Sequence, residues 1–308
     1  MIQNKTITVF GASNVDITGF TEQKLIYGDA NIGYTLTSPG GVGRNIAENL
    51  HRLGFAMNLI SVFGDDPLSE YLFKSCKELG IKIDDSLFLK NASTATFLAI
   101  MDAHNDLALG ISAMDIYKNI QSGSLKSKIA TTKPADYTVI ETNFPTELLE
   151  LVVQEIPDTK FVLDTVSGKK ALRASAIIPQ LYILKTNLLE AQMLSGIHPT
   201  DEASKEKLVR YFVDLGVKNV FITTGKEGVI YGNQTIVSQR GPILSNIINT
   251  IGAGDSFVSG IVYADALGMD IHKMALYGMA SASLNVQFNG AVSTEMNVEN
   301  LEAVVNRQ

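Results

Sequence analysis

A single cysteine in 308 residues, Cys76, excludes an internal disulfide framework and is the usage expected in a reducing compartment, so the expected location is cytoplasmic. It lies in "YLFKSCKELG", a helical pattern in which buried packing is expected rather than nucleophilic chemistry. Cations are also scarce. The 25 Lys and Arg against 32 Asp and Glu give a net charge of -7, the wrong sign for a surface that grips a polyanion, and no nucleic-acid partner is expected. No apolar run approaches the ~20 residues of a membrane span. The opening "MIQNKTITVFGAS" has no long apolar core behind a basic end and reads as a first strand, not a signal peptide. His51, His104, His198 and His272 have no metal-ligand spacing. Neither a G-x-x-x-x-G-K-[ST] phosphate loop nor a G-x-S-x-G elbow occurs.

What is present is globular: 45% hydrophobic and 19% charged residues, with no linker or repeat, consistent with one large domain over 1–308. Short runs rich in β-branched residues ("TITVFG", "MNLISVFG", "YTVIE", "KFVLD", "LYILK", "NVFITTG") alternate with helical patterns ("NIAENLHRLG", "LSEYLFKSCKELG", "PTELLELVVQEI", "NLLEAQMLSG", "SKEKLVRYFVDLG"). That rhythm predicts a parallel sheet covered on both faces. Two helix-free segments, 16–39 and 87–111, alternate at period two and are expected to form antiparallel strands of a small separate sheet, suited to act as a lid. The tail "NVENLEAVVNRQ" reads as a last helix.

Four stretches can carry chemistry. In "NTIGAGDSFVSG", Gly252 and Gly254 permit close backbone approach, and the free amides of the helical turn that follows form an anion site. Asp255 there has two readings: a helix cap, or a base that takes a proton from a substrate hydroxyl while the amides of Gly252, Ala253 and Gly254 hold a transferring phosphoryl group. A helix N-terminus should lower its pKa, which phosphoryl transfer tolerates because the nucleophile's proton leaves late. In "SPGGVGRNIAENLHRLG", Gly41-x-Gly43 with Ala47, and Asp65 about 20 residues on, approach a dinucleotide fingerprint. The preceding "GYTLTSPG" alternates and ends in proline, unlike the buried first strand that fingerprint follows. In the other reading, Gly40 and Gly41 let a ligand near the backbone while Asn45 faces it, with Asn14 and Asp16 joining from the crevice; Asp and Asn together suit vicinal hydroxyls. In "LKTNLLEAQMLSG", Asn187 and Glu190 share a helix face, with dipole complementation by Glu190 as the plainer alternative. "VFITTGKEGVIYG" presents Thr223, Gly225 and Gly228 as either a phosphate-binding turn or a plain hairpin.

Taken together and in order, these stretches resemble the PfkB, or ribokinase-like, family of carbohydrate and nucleoside kinases, along essentially the whole chain. The resemblance implies a three-layer αβα ribokinase-like fold, with a mainly parallel central sheet and a small β-sheet lid that also forms a homodimer contact. It implies ATP and Mg2+ as cofactors, a sugar or nucleoside as substrate, Asp255 as catalytic base and Gly252, Ala253 and Gly254 as the anion hole. Asn187, Thr223, Gly225 and Gly228 fall on nucleotide-binding positions, and Glu190 on a Mg2+ position reached through water. Asn14, Asp16, Gly40, Gly41 and Asn45 fall on sugar-binding positions, with Thr96 on the lid strand facing the substrate. Many members have Asp where this chain has Asn249, beside a monovalent-cation site, which leaves one negative charge fewer for K+.

Overall fold

In the computed structural model, residues 2, 5–102 and 107–308 are described; His104 and the stretch 103–106 of the expected lid lie outside them. The strands are β1 (Thr6–Phe10), β2 (Asn14–Thr21), β3 (Gly33–Gly40), β4 (Ala56–Ile60), β5 (Val62–Phe63), β6 (Leu87–Phe88), β7 (Thr96–Met101), β8 (Leu107–Ala113), β9 (Tyr137–Glu141), β10 (Lys160–Asp164), β11 (Ile183–Asn187), β12 (Asn219–Thr223), β13 (Val229–Gly232) and β14 (Val237–Arg240). An eight-stranded sheet runs β14-β13-β12-β11-β10-β9-β1-β4. Its pairings are parallel from β4 to β12, and β13 and β14 add antiparallel strands at one edge.

Side chains alternate across this sheet. Ile7 and Val9 of β1, Val139 of β9 and Val162 of β10 enter one core with α1 (Val42–Arg52), α8 (Ala253–Ala266), α9 (Ile271–Asn285) and α10 (Val298–Val305). Phe10, Ile140 and Leu163 enter the other, with α3 (Ser122–Thr131), α4 (Thr146–Glu155) and α7 (Glu202–Asp214). Three layers follow from strands buried on both faces, as the near-continuous apolar runs predicted. The short helices α5 (Gly168–Ala171) and α6 (Leu188–Ser195) follow β10 and β11, and α2 (Pro67–Leu79) lies under the lid root. No helix among the described residues is long and apolar enough to cross a membrane.

The two helix-free segments do make a separate sheet, ordered β3-β2-β7-β8. The expectation of purely antiparallel pairing is corrected at its centre: β2 and β7 run parallel, because the chain between β3 and β7 is a long crossover through α1, β4 and α2 and not a hairpin, while β3 and β8 return antiparallel on the outside. Leu87 and Phe88 are outside the lid and pair with Val62 and Phe63. The helix after Gly41 follows β3, an exposed lid strand, and not a buried first strand. That placement removes the dinucleotide reading.

Candidate active site

The candidate residues gather where the parallel strands end, the edge at which open α/β sheets bind ligands. Helix α8 points its N-terminus there, starting from Gly252 in the left-handed region at φ +75°. A Cβ on Gly252 would strike the Ala291 carbonyl, so that position tolerates no side chain, and one on Gly254 would lie 2.6 Å from Lys185 Nζ and displace the ammonium. Asp255 is the third residue of the helix and caps nothing. Its buried carboxylate accepts a hydrogen bond from Asn45 Nδ2 at 2.9 Å, and so joins α8 to α1. The capping alternative therefore fails.

The expected lowering of its pKa fails as well. Burial, with the nearby Asp164 carboxylate adding to it, pushes Asp255 up to about 7 against the pull of Asn45 and Lys185. Desolvation outweighs the helix dipole because the dipole's effect is a fraction of a charge whereas burial strips the whole hydration shell. A carboxylate held near neutrality is a better proton acceptor than an ordinary Asp.

The sugar-side candidates cluster opposite. Asn14 and Asp16 open β2, and Asn14 Nδ2 donates to Asp16 Oδ1 at 2.5 Å. The other Asp16 oxygen lies against Gly40, where any Cβ would collide with it. Gly41, at φ +101°, turns the chain into α1 so closely over β1 that a Cβ would meet the Ala12 carbonyl. Burial raises Asp16 to about 6, moderated by Asn14 and the Arg44 guanidinium. Thr96 is not with this group. It pairs with Val15 and Ala113, and paired residues share a face, whereas Asp16 pairs with Phe97 and Ser38 on the other. Thr96 instead lines a cavity of about 430 Å³ with Asp66, Leu68, Thr94, Asp115 and Asn119.

On the nucleotide side, Asn187 and Glu190 form a capping box on α6: Asn187 Oδ1 accepts from the Glu190 amide at 2.9 Å and Glu190 Oε2 from the Asn187 amide at 3.1 Å. Glu190 Oε1 also accepts from Asn187 Nδ2 at 2.6 Å, and Oε2 from Thr165 Oγ1. Both oxygens are thus occupied, and among the described residues no group of three or more His, Cys, Asp or Glu side chains is arranged to hold a metal ion. With its oxygens so engaged, Glu190 would reach a Mg2+ carried by nucleotide phosphates only through the ion's waters. Thr223 ends β12 with its hydroxyl on the Thr186 carbonyl at 3.3 Å, and Gly225 and Gly228, both at positive φ, turn the chain into β13. The backbone forms a hairpin turn here, a geometry that both readings share. A Cβ on Gly228 would strike the Arg240 carbonyl. Asn249 Oδ1 accepts from the Ile251 amide at 2.9 Å, a local turn.

Three buried charges here escaped the motif reading. Lys185, on β11, pairs with Asp164 at the end of β10 at 2.8 Å, directly beneath Gly254, and the ion pair keeps it charged despite burial. Glu141, ending β9, accepts from the Asn143 amide at 2.6 Å and from Ala12 N, and burial raises it to about 7. The available signal was a lone charge in an otherwise apolar strand, as in "KFVLD" and "LYILK". The turn is not wholly free, since the Ala253 amide donates to the Thr250 carbonyl at 3.3 Å; a glycine turn at a helix N-terminus, with a cation beneath it and a near-neutral carboxylate beside it, can still hold a phosphoryl group and accept a proton from a hydroxyl.

The chain is similar to characterised kinases throughout its length. It is 27% identical to the pseudouridine kinase of Escherichia coli, over 99% of this chain and 98% of that one. It is 26% identical to the ribokinase of Staphylococcus aureus, over 82% and 83%. A solved carbohydrate kinase from Agrobacterium tumefaciens superposes with a TM-score of 0.84 at 25% identity, covering 98% of this chain and 97% of its own. The model of the pfkB family carbohydrate kinases matches residues 4–297, and the chain belongs to that family, a phosphotransferase acting on an alcohol group.

Proposed function

We propose that the protein is an ATP- and Mg2+-dependent kinase that phosphorylates the 5'-hydroxyl of pseudouridine. The observation that carries the chemistry is Asp255: a buried, near-neutral carboxylate, tied through one oxygen to Asn45, beside the glycine turn of α8. In this reading Asp16 and Asn45 fix the ribose, and the amides of Gly252, Ala253 and Gly254, with Lys185 behind them, stabilise charge on the transferring group. Glu190 would hold Mg2+ through the ion's waters, and the ion would supply neutralisation of phosphate charge. Asp255 orients the hydroxyl and takes its proton, while Asn187, Thr223, Gly225 and Gly228 hold the nucleotide. The lid excludes water, which competes for the same phosphoryl group.

The choice of pseudouridine is supported by the end-to-end similarity to the Escherichia coli enzyme. The test is ATP consumption with Mg2+ across pseudouridine, uridine, adenosine, ribose and fructose, with and without K+. Preference for pseudouridine over uridine is expected, since the two differ only in how the base is attached. Preference for ribose would keep the mechanism and overturn the substrate, and no turnover would overturn both in favour of a ligand sensor.

The lid also offers a homodimer contact. Its outer strands β3 and β8 are exposed and carry Tyr34, Leu36, Leu109 and Ile111, each at least half exposed, on unpaired edges. Light scattering is expected to give a dimer, and Leu36→Asp a larger monomer fraction. A wild-type monomer at tens of micromolar concentration would remove the contact.

A further inference from the structure

Arg44, on α1, is 4% exposed and lies inside the glycine-rich stretch beside Asn45, yet none of the roles above falls to it. Its Nη2 meets Glu48 Oε2 at 2.5 Å and Ser75 Oγ at 3.4 Å. Its Nη1 is shared between the Pro39 carbonyl at 3.5 Å, at the lid root, and Asn45 Oδ1 at 3.4 Å, while Nε has no partner. Glu48 does not need Arg44 for charge balance, because Arg52 already holds its Oε1 through Nε and Nη2 at 2.9 and 2.7 Å. A guanidinium can only donate, and an ionised carboxylate can only accept. An asparagine bridging the two has therefore a single allowed orientation.

We infer that Arg44 is a positioning residue for phosphoryl transfer: it fixes the Asn45 amide with Oδ1 toward itself and Nδ2 on Asp255, leaving Asp255 Oδ1 for the acceptor hydroxyl. This rests on the reading of Asp255 as the base. The same guanidinium faces Asp16, so one cation serves both the ribose-side carboxylate and, through Asn45, the base. Asp255 is faced by Asp164 from β10, Lys185 from β11, Asp16 from β2 and Asn45 from α1; Asp16 is faced by Asn14 and Arg44. Without Arg44, the amide is free to turn its oxygen toward Asp255, a repulsive contact for the ionised form. Both carboxyls should then hold their protons to higher pH.

Arg44→Met is expected to lower kcat/KM about tenfold or more and to move its acid limb upward by about one pH unit, the size of effect of losing one nearby opposite charge. Arg44→Lys, which keeps the charge without the fork, should fall between. Arg52→Met removes the outer partner of Glu48 and should leave the limb in place. A loss of activity in Arg44→Met with an unmoved limb would reduce Arg44 to a packing role and overturn the inference. Should that variant not fold, Glu48→Gln takes a neutralising carboxylate from the guanidinium, so the limb should move down instead of up, and a limb that stays or moves up would overturn the inference. Carboxyl-carbon NMR titration of 13C-labelled aspartate gives a readout without turnover. An inactive wild type would overturn the kinase reading, whereas unchanged Asp16 and Asp255 midpoints in the variant would overturn this one.

Discussion

Asp255→Asn is expected to lower kcat by about a thousandfold, within the range general-base removal costs, while Mg-ADP still protects the protein on heating. The substitution is nearly isosteric, and its amide oxygen can still accept from Asn45 Nδ2, so the link between α8 and α1 persists. What is lost is the proton acceptor. In the wild type, kcat/KM should rise with pH through about 7, where the free enzyme's Asp255 ionises. Turnover within a few-fold of wild type in the variant would remove Asp255 from the mechanism.

The same substitution should make the protein more stable at pH 8. Asp255 is raised from its ordinary 3.8 to about 7, so folding takes up a proton between those values. The stability this group contributes is complete below pH 3.8 and is lost as pH climbs through 7, where a bare charge must be kept buried. An amide has no charge to bury, so variant and wild type should coincide near pH 4, diverge between 4 and 7 and keep a constant gap above 7, the variant melting higher. Asp16, raised to about 6, and Glu141, raised to about 7, carry the same sign. The crevice is thus built against its own stability, which is the usual relation between an active site and the fold that holds it. A pH-independent difference between variant and wild type would show that Asp255 is already ionised without penalty.

The glycine turn of α8 was legible because its information is local: Gly252, Gly254 and Asp255 are adjacent in the chain, and only glycine fits where a Cβ would meet the Ala291 carbonyl. The three-layer order was legible because strands buried on both faces lose the period-two pattern that the lid keeps. Thr96 was not. Which side of the lid it faces depends on β7 pairing with β2 in parallel, a nonlocal register, and a one-residue difference sends a side chain to the opposite face. Nor was the inversion of the Asp255 pKa legible, since it comes from burial that only the assembled layers create and, after that, from Asp164, 91 positions away in sequence. Lys185 and Asp164 each look like an ordinary strand end, and their meaning appears only when β10 and β11 lie side by side.

Lys185→Met should destabilise the protein by about 3–5 kcal/mol, the usual cost of breaking a buried ion pair from one side. The side chains of Lys185 and Asp164 are 8% and 2% exposed, and the lysine is the cation facing Asp164, Asp255 and Glu190. Methionine fills much of the same volume, so the loss measures charge more than packing. Without the ammonium, the Asp164 carboxylate keeps, among the described residues, the Val166 amide at 2.8 Å, and the Asp255 carboxyl loses the pull of the lysine and is pushed further toward protonation. A carboxyl whose folded pKa rises loses its contribution as pH climbs through that value. The deficit of the variant should therefore be smaller at pH 5 than at pH 8 in denaturant titrations. Adding Asp164→Asn to Lys185→Met should recover a large part of the loss, since it removes the orphaned charge that the first change created. A deficit equal at both pH values and unrelieved by the second change would mean that the lysine stem, and not its charge, supports the floor beneath Gly254.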